Sequence, residues 1–251
     1  MATRVGIVIL GDEVLKGEVR EANLAHMLPL LSEWGAETVL CAVLPDKIPV
    51  VVRHLKSYLE EADLLILTGG IGPTPDDITR DAVAEVAGVK LVLNEEAKEA
   101  LESHPHKGGD PRYRMLMAHV PEGAALIPNP LSGAPGFHIH RMAVFPGVPL
   151  LLQAMFPWVK PLVAGSRKTR IILYSMAGES SFAGIMGELM ASYPDVGIGS
   201  YPLTEGGYRV RVVFRGDGYA RTAECAGRFE EKLAGAGHRV LRREEERGDD
   251  A

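Results

Sequence analysis

The chain has 251 residues, 46% of them hydrophobic and 24% charged, and a formal net charge of −6. That length supports one large or two modest domains with a real core, and the acidic balance argues against broad binding to nucleic acid or an anionic membrane. Its two cysteines, Cys41 and Cys225, lie far apart and offer no metal or redox spacing, which suits a reducing cytoplasm.

From the N-terminus, RVGIVIL predicts a buried strand that meets Asp12 and Glu13 too soon for a signal peptide. No run of about 18 apolar residues follows to predict a membrane helix. After the strand, Gly11, Asp12, Glu13, Lys16 and Asn23 form a polar loop. EANLAHMLPLLSEWG spaces Leu24, Leu28 and Leu31 as on a helix stopped at Gly35; Pro29 either kinks this helix or marks a later start. ETVLCAV predicts the second strand, and Asp46 comes just after it, before a helix with Pro49 in its first turn. DLLILTGG is the third strand and DITRDAVAEVAG its helix. This alternation predicts a parallel sheet with helices on both faces.

Residues 95–120 read as a helical excursion. The proline- and glycine-rich NPLSGAPGFHIHRMAVFPGVP predicts hairpins and loops returning to the sheet, and LLQAMFPWV a last helix. A boundary at KPLVAGSRK divides a domain of residues 1–165 from one of 166–243. The second predicts strand–helix–strand–strand–helix–strand, a small ferredoxin-like α+β unit. Residues 244–251, EEERGDDA, read as a charged, frayed tail.

Three strand ends on one sheet edge carry the polar chemistry. In TGGIGPTPDDITRD, Gly69, Gly70 and Gly72 allow backbone N–H groups to approach an anion, helped by the helix N-terminus that follows. The string matches neither the dinucleotide fingerprint nor the P-loop. Asp76 and Asp77 beside such a turn serve either as helix caps or as carboxylates for a cation that bridges to phosphate; Mg²⁺ takes such oxygen ligands. Ser132, Gly133, Ala134 and Gly136 are small enough for a loop to close over a flat ligand. His138 and His140 alternate on a predicted strand and His104 and His106 flank a proline, but no third metal partner accompanies either pair.

Taken together, GDEVLKGEVREAN, LTGGIGPTPDDITRDAV, PNPLSGAPGF and FPGVP resemble the MoaB/Mog molybdopterin-binding family in its CinA-like (competence/damage-inducible protein A) branch, over about residues 3–160. DVGIGSYP resembles the small second domain of that branch. The resemblance implies a three-layer α/β sandwich with a mostly parallel sheet. It implies a strand-end pocket for a nucleotide diphosphate or a pterin, and divalent-metal-dependent hydrolysis of a diphosphate such as ADP-ribose with Mg²⁺, Mn²⁺ or Co²⁺. Molybdopterin binding or adenylylation is the alternative it leaves open, and a non-catalytic binding module a third. Carried onto this chain, it assigns catalysis to Asp46 and Asp77 and the metal to Asp12, Glu13, Asp46 and Asp77. It gives the ligand to Gly11, Thr68 and the turn of Gly69, Gly70, Gly72 and Thr74, with Ser132, Gly133, Ala134, Pro146 and Gly147 closing the pocket. It also implies a homo-oligomer, a dimer for two-domain members and a trimer for single-domain ones. Two departures stand out: the chain stops before the amidase domain many members carry, and it has Leu-Ser where Val-Gly-Thr is expected.

Overall fold

The computed structural model describes residues 2–104, 110–163 and 165–249. They form two compact units, Met1–Gly165 and Ser166–Ala251.

The first unit opens with β1 (Arg4–Leu10), α1 (Asp12–Leu15), α2 (Asn23–Glu33), β2 (Glu37–Leu44), α3 (Ile48–Glu61), β3 (Leu64–Thr68) and α4 (Thr79–Ala87). An excursion follows: β4 (Leu91–Leu93), α5 (Glu95–Ser103), α6 (Pro111–Arg114), a 3₁₀ turn at Met115–Ala118 and β5 (His119–Pro121), which pairs with β4. β6 (Ala125–Ile127), β7 (Gly136–Ile139), β8 (Met142–Phe145), α7 (Pro149–Met155) and a 3₁₀ segment at Phe156–Leu162 complete it. The main sheet runs β2-β1-β3-β8-β7-β6; the first four strands are parallel, and the β7 and β6 pairings are antiparallel.

The sheet is apolar on both faces because both are covered. Val8, Leu10, Leu65 and Leu67 pack towards Val51 and Leu55 of α3 and Val83 of α4. Their neighbours Ile7, Ile9, Leu64 and Ile66 pack towards Met27 and Leu31 of α2 and Leu152 of α7. Each such buried side chain contributes about 1.5–3 kcal/mol. This is the expected three-layer sandwich. Pro29 neither delays nor ends α2: the helix is continuous from Asn23, and Pro29 lies on its exposed side, where water can serve the carbonyl it leaves unbonded.

The second unit is β9 (Thr169–Ser175), α8 (Ala183–Ser192), β10 (Gly197–Pro202), β11 (Val210–Gly216), α9 (Tyr219–Gly235) and β12 (Val240–Glu246). Its sheet order, β10-β11-β9-β12, is antiparallel throughout and is the ferredoxin-like arrangement. Ile171, Leu173, Val212 and Phe214 pack on Leu189 of α8 and Phe229 of α9.

The charged tail begins later than its composition suggests. Glu244 and Glu246 are registered in β12 opposite Ile172 and Arg170. The Tyr174 hydroxyl donates to Glu244 at 3.1 Å, and Gly248 N donates to Thr169 Oγ1 at 3.1 Å. The charges therefore mark an edge strand, with Glu246 facing Arg170 across it at 3.5 Å.

The histidine readings also change. Only His138 lies on β7; His140 sits in the two-residue turn to β8 with φ of 51°. Met142 pairs with Leu65, near the start of β3, so both histidines are at the sheet end opposite the glycine turn. His106 lies outside the described residues.

Candidate functional site

β3 ends at Thr68, and the chain turns through Gly69 (φ +102°) and Gly70 (φ +64°), a left-handed path suited to glycine. A Cβ at Gly69 would meet the Leu10 carbonyl oxygen at 2.1 Å, so the ends of β1 and β3 approach too closely for a side chain.

Every carbonyl of the turn is drawn towards the start of α4. Thr79 Oγ1 donates to Gly69 O at 2.8 Å and Thr79 N to Gly70 O at 3.0 Å. Buried Arg80, 7% exposed, donates from Nη1 to Ile71 O at 2.5 Å and from Nη2 to Gly72 O at 2.6 Å. Burial pulls the Arg80 pKa down, against the opposing charges of Asp77 and Asp81. On the donor side, Gly69 N bonds Phe145 O at 3.1 Å and Gly72 N bonds Asp77 Oδ1 at 2.7 Å. The amides of Gly70 and Ile71 have no partner among the described residues. Two adjacent N–H groups left open in such a turn are able to donate together to an anion.

Asp77 is fully engaged inside this turn. Its second oxygen accepts from Thr74 N at 2.8 Å and Thr74 Oγ1 at 2.5 Å. Asp77→Ala is therefore expected to cost about 1–3 kcal/mol of stability and to weaken anion binding about tenfold or more through a slack turn. Thermal denaturation and phosphate titration read both effects, and a variant as stable and as tight as the parent contradicts this role.

The acid wall stands at the ends of β1 and β2. Asp12 N donates to Asp46 Oδ2 at 2.8 Å and Asp46 N to Asp12 Oδ1 at 3.2 Å, a reciprocal clasp. The Asp46 N–H and then Lys16, 3.3 Å away, hold the Asp12 carboxyl below its usual range. Asp46 moves the other way. Burial pushes its pKa up, the Asp12 N–H partly offsets that, and Glu13, Asp12 and Asp76 add to the rise. Asp46 Oδ1 has no partner among the described residues.

A third wall comes from the loop before β7. Asn129, 5% exposed, donates to Ser132 Oγ at 2.8 Å and Ala134 O at 2.9 Å, and its Oδ1 accepts from Leu131 N at 3.1 Å and Ser132 N at 3.2 Å. Behind it, Thr68 Oγ1 donates to Pro146 O at 3.0 Å, while Asn23 Nδ2 donates to Thr68 Oγ1 at 3.2 Å and Gly147 O at 2.9 Å.

These walls enclose a cavity of ≈ 840 Å³, within the roughly 300–1,000 Å³ typical of small-molecule sites. The glycine turn with Asp77, the wall of Gly11, Glu13 and Asp46, Ser132 with Ala134, and Pro146 with Gly147 all line it. Asp12, Thr68, Thr74 and Gly133 do not; Thr68 braces β3 from behind, and Gly133 (φ +73°) makes a turn where a Cβ would meet Ala100 O at 2.5 Å. Arg114, Met117 and Asn129 line the cavity without having been singled out in the sequence. Asn129 lies between Pro128 and Pro130, a turn signal; Arg114 has no such flag. Among the described residues no group of three or more His, Cys, Asp or Glu is placed to hold a metal ion by itself. An ion shared with a ligand's phosphate needs only one or two carboxylates, and Asp46, half-buried near other acids with one oxygen free, fits that need.

Comparison with known proteins adds the following. The family described as "Probable molybdopterin binding domain" matches residues 6–165, and that described as "FAD synthase, middle domain" matches residues 169–239. A protein of Archaeoglobus fulgidus is 29% identical over 227 residues, 90% of this chain and 96% of its own. A "CinA-like protein" of Chloroherpeton thalassium is 30% identical over 228 residues; they are 85% of this chain and 54% of its own, so this chain spans about half of that relative. Among solved structures, that of "the protein CinA with unknown function from Thermoplasma acidophilum" superposes with a TM-score of 0.57 at 28% identity, over 63% of this chain and 97% of that one.

Proposed function

This chain belongs to the molybdopterin-binding family in its CinA-like branch, and from that premise we propose that its strand-end cavity binds a nucleotide diphosphate such as ADP-ribose and hydrolyses it with a divalent cation. One observation carries the reading: the free amides of Gly70 and Ile71 share a cavity with Asp46, whose charge is disfavoured by burial and neighbouring acids. Phosphate beside such a wall is repelled unless a cation lies between them, and Mg²⁺, Mn²⁺ and Co²⁺ accept this mix of carboxylate and phosphate oxygens.

Hydrolysis adds water across the P–O–P anhydride, breaks one P–O bond and yields two monophosphates. The amides of Gly70 and Ile71 receive the negative charge that grows on the phosphate oxygens. Asp46, with Glu13 beside it and Asp12 fixing its geometry, supplies the carboxylates for the cation. Asp77 acts through the shape of the turn. A bound divalent cation would polarise the phosphorus and acidify a coordinated water.

Protonating Asp46 removes its charge, so cation affinity is expected to fall as pH drops through the raised pKa of this group, above the ordinary carboxylate range of about 4. Calorimetric Mn²⁺ titration across pH checks this; an affinity that is flat until the ordinary range contradicts it.

The direct test is cleavage of ADP-ribose, FAD, NAD and ATP with each cation. Cleavage of at least one diphosphate, lost on chelation, supports the reading. Tight binding of ADP-ribose without cleavage under any cation makes the chain a binding module.

The family match favours a second reading, binding or adenylylation of molybdopterin, whose phosphate the same turn would take. A fluorescent oxidised pterin released from the purified protein would support it over the first. Among the described residues no helix is long and apolar enough to cross a membrane. We infer a cytoplasmic homodimer, with Leu150 (67% exposed) as an apolar contact candidate; sedimentation as a monomer would overturn the dimer.

A further inference from the structure

Arg114 lines the same cavity as the acid wall and has no counter-ion among the described residues. It is half-buried at the end of α6, and its Nη2 donates to the Ser132 carbonyl at 3.3 Å. No carboxylate among the described residues is within ion-pair distance of it. A guanidinium carries five donors, and one long bond to a carbonyl leaves most of them unused.

Ser132 has a matching surplus. Its Oγ accepts from Asn129 Nδ2 at 2.8 Å and from Ala134 N at 3.3 Å. A hydroxyl has two acceptor sites and one proton. With both acceptor sites occupied, what Ser132 can offer is its O–H as a donor. Arg114 and Ser132 thus bring unsatisfied donors, and no acceptor, to the cavity they both line.

The two are also held as one piece. Met115 and Met117, just after Arg114, and Ala134, just after the Ser132 turn, pack on the same cluster of Ala97, Leu101 and Ala118. The donor pair is set by that small core, and Asn129 fixes the loop from within.

We propose that Arg114 and Ser132 form a second anion subsite, which takes one phosphoryl group of a diphosphate while the Gly70 and Ile71 amides take the other. This rests on the phosphate-binding reading of the cavity and deepens it: the second phosphoryl group has its own donors, so the site discriminates a diphosphate from its monophosphate. A planar guanidinium suits this task, since it binds phosphate through two parallel N–H bonds.

The test is a binding ladder of adenosine, AMP and α,β-methylene-ADP, which cannot be cleaved at its bridge, measured calorimetrically with Mg²⁺. The parent chain is expected to prefer the diphosphate analogue over AMP. Arg114→Gln is expected to weaken that analogue about 10- to 100-fold while AMP and adenosine change by less than about threefold, so the preference collapses. Arg114→Lys is expected to recover part of it, and Ser132→Ala to lose a smaller share. Equal weakening of all three ligands in Arg114→Gln, or an unchanged preference, overturns the subsite and leaves the cavity's phosphate reading standing. Failure of the parent chain to bind either phosphate overturns both.

Discussion

Asp46→Asn is expected to lower diphosphate hydrolysis by about 10³-fold, the size of losing several kcal/mol of charge stabilisation at the reacting phosphate. Asparagine keeps an oxygen to accept from Asp12 N, the contact that joins the ends of β1 and β2, so the wall survives. What it removes is the charge.

The same change is expected to raise the stability of the ligand-free protein at neutral pH. The folded-state pKa of Asp46 is raised, so the folded chain holds this proton more tightly than the unfolded chain does. Ionised Asp46 therefore opposes folding. That penalty grows as pH climbs from the ordinary carboxylate value of about 4 through the raised one, and is complete above it. The stability gain of Asp46→Asn should thus be present at pH 7 and vanish in acid. Turnover within a few-fold of the parent, in a variant that melts normally, contradicts the role given to Asp46.

Gly69→Ala is the largest expected structural lesion. Its φ of +102° is closed to alanine, and the added Cβ would sit 2.1 Å from the Leu10 carbonyl oxygen, a backbone atom that can move only by displacing β1. Strain of about 1–3 kcal/mol and overpacking of about 1–3 kcal/mol add to a loss of about 2–6 kcal/mol, a fall of roughly 4–24 °C in melting temperature for a unit of this size. Gly88→Ala is the control. Gly88 is also left-handed, at φ +73°, but nothing lies within 4 Å of its Cβ position. It should cost only the strain of about 1–2 kcal/mol. If the two variants melt alike, close approach of the β1 and β3 ends is not what demands glycine at position 69.

The fold was legible where pattern and burial coincide. The runs VGIVIL and LLILT read as strands buried on both faces, and their odd and even residues do feed separate cores on α3/α4 and α2/α7. The second unit was legible through element order alone, since strand–helix–strand–strand–helix–strand closes naturally into β10-β11-β9-β12. Charge misled at the C-terminus, because edge-strand residues such as Glu244 and Glu246 are chosen for solvent and cross-strand partners and so look like a tail.

The site was legible in its glycines, which carry a conformational demand visible in the letters themselves. It was less legible in its polar contacts. Adjacent aspartates gave no hint that Asp77 would spend both oxygens on Gly72 and Thr74, while Asp46, some thirty residues earlier, keeps one oxygen free. Arg80 and Arg114 look alike in the sequence. One is buried under the turn on two carbonyls and the other is left facing the cavity. That difference is made by tertiary packing and has no local signature.

The most direct measurement is an amide-resolved NMR titration with α,β-methylene-ADP and Mg²⁺. The Gly70 and Ile71 amides are predicted to move strongly downfield together as phosphate oxygens accept their hydrogen bonds, and to lose most of that shift when Mg²⁺ is chelated. Saturable binding that leaves both amides where they are in the free protein would contradict the account.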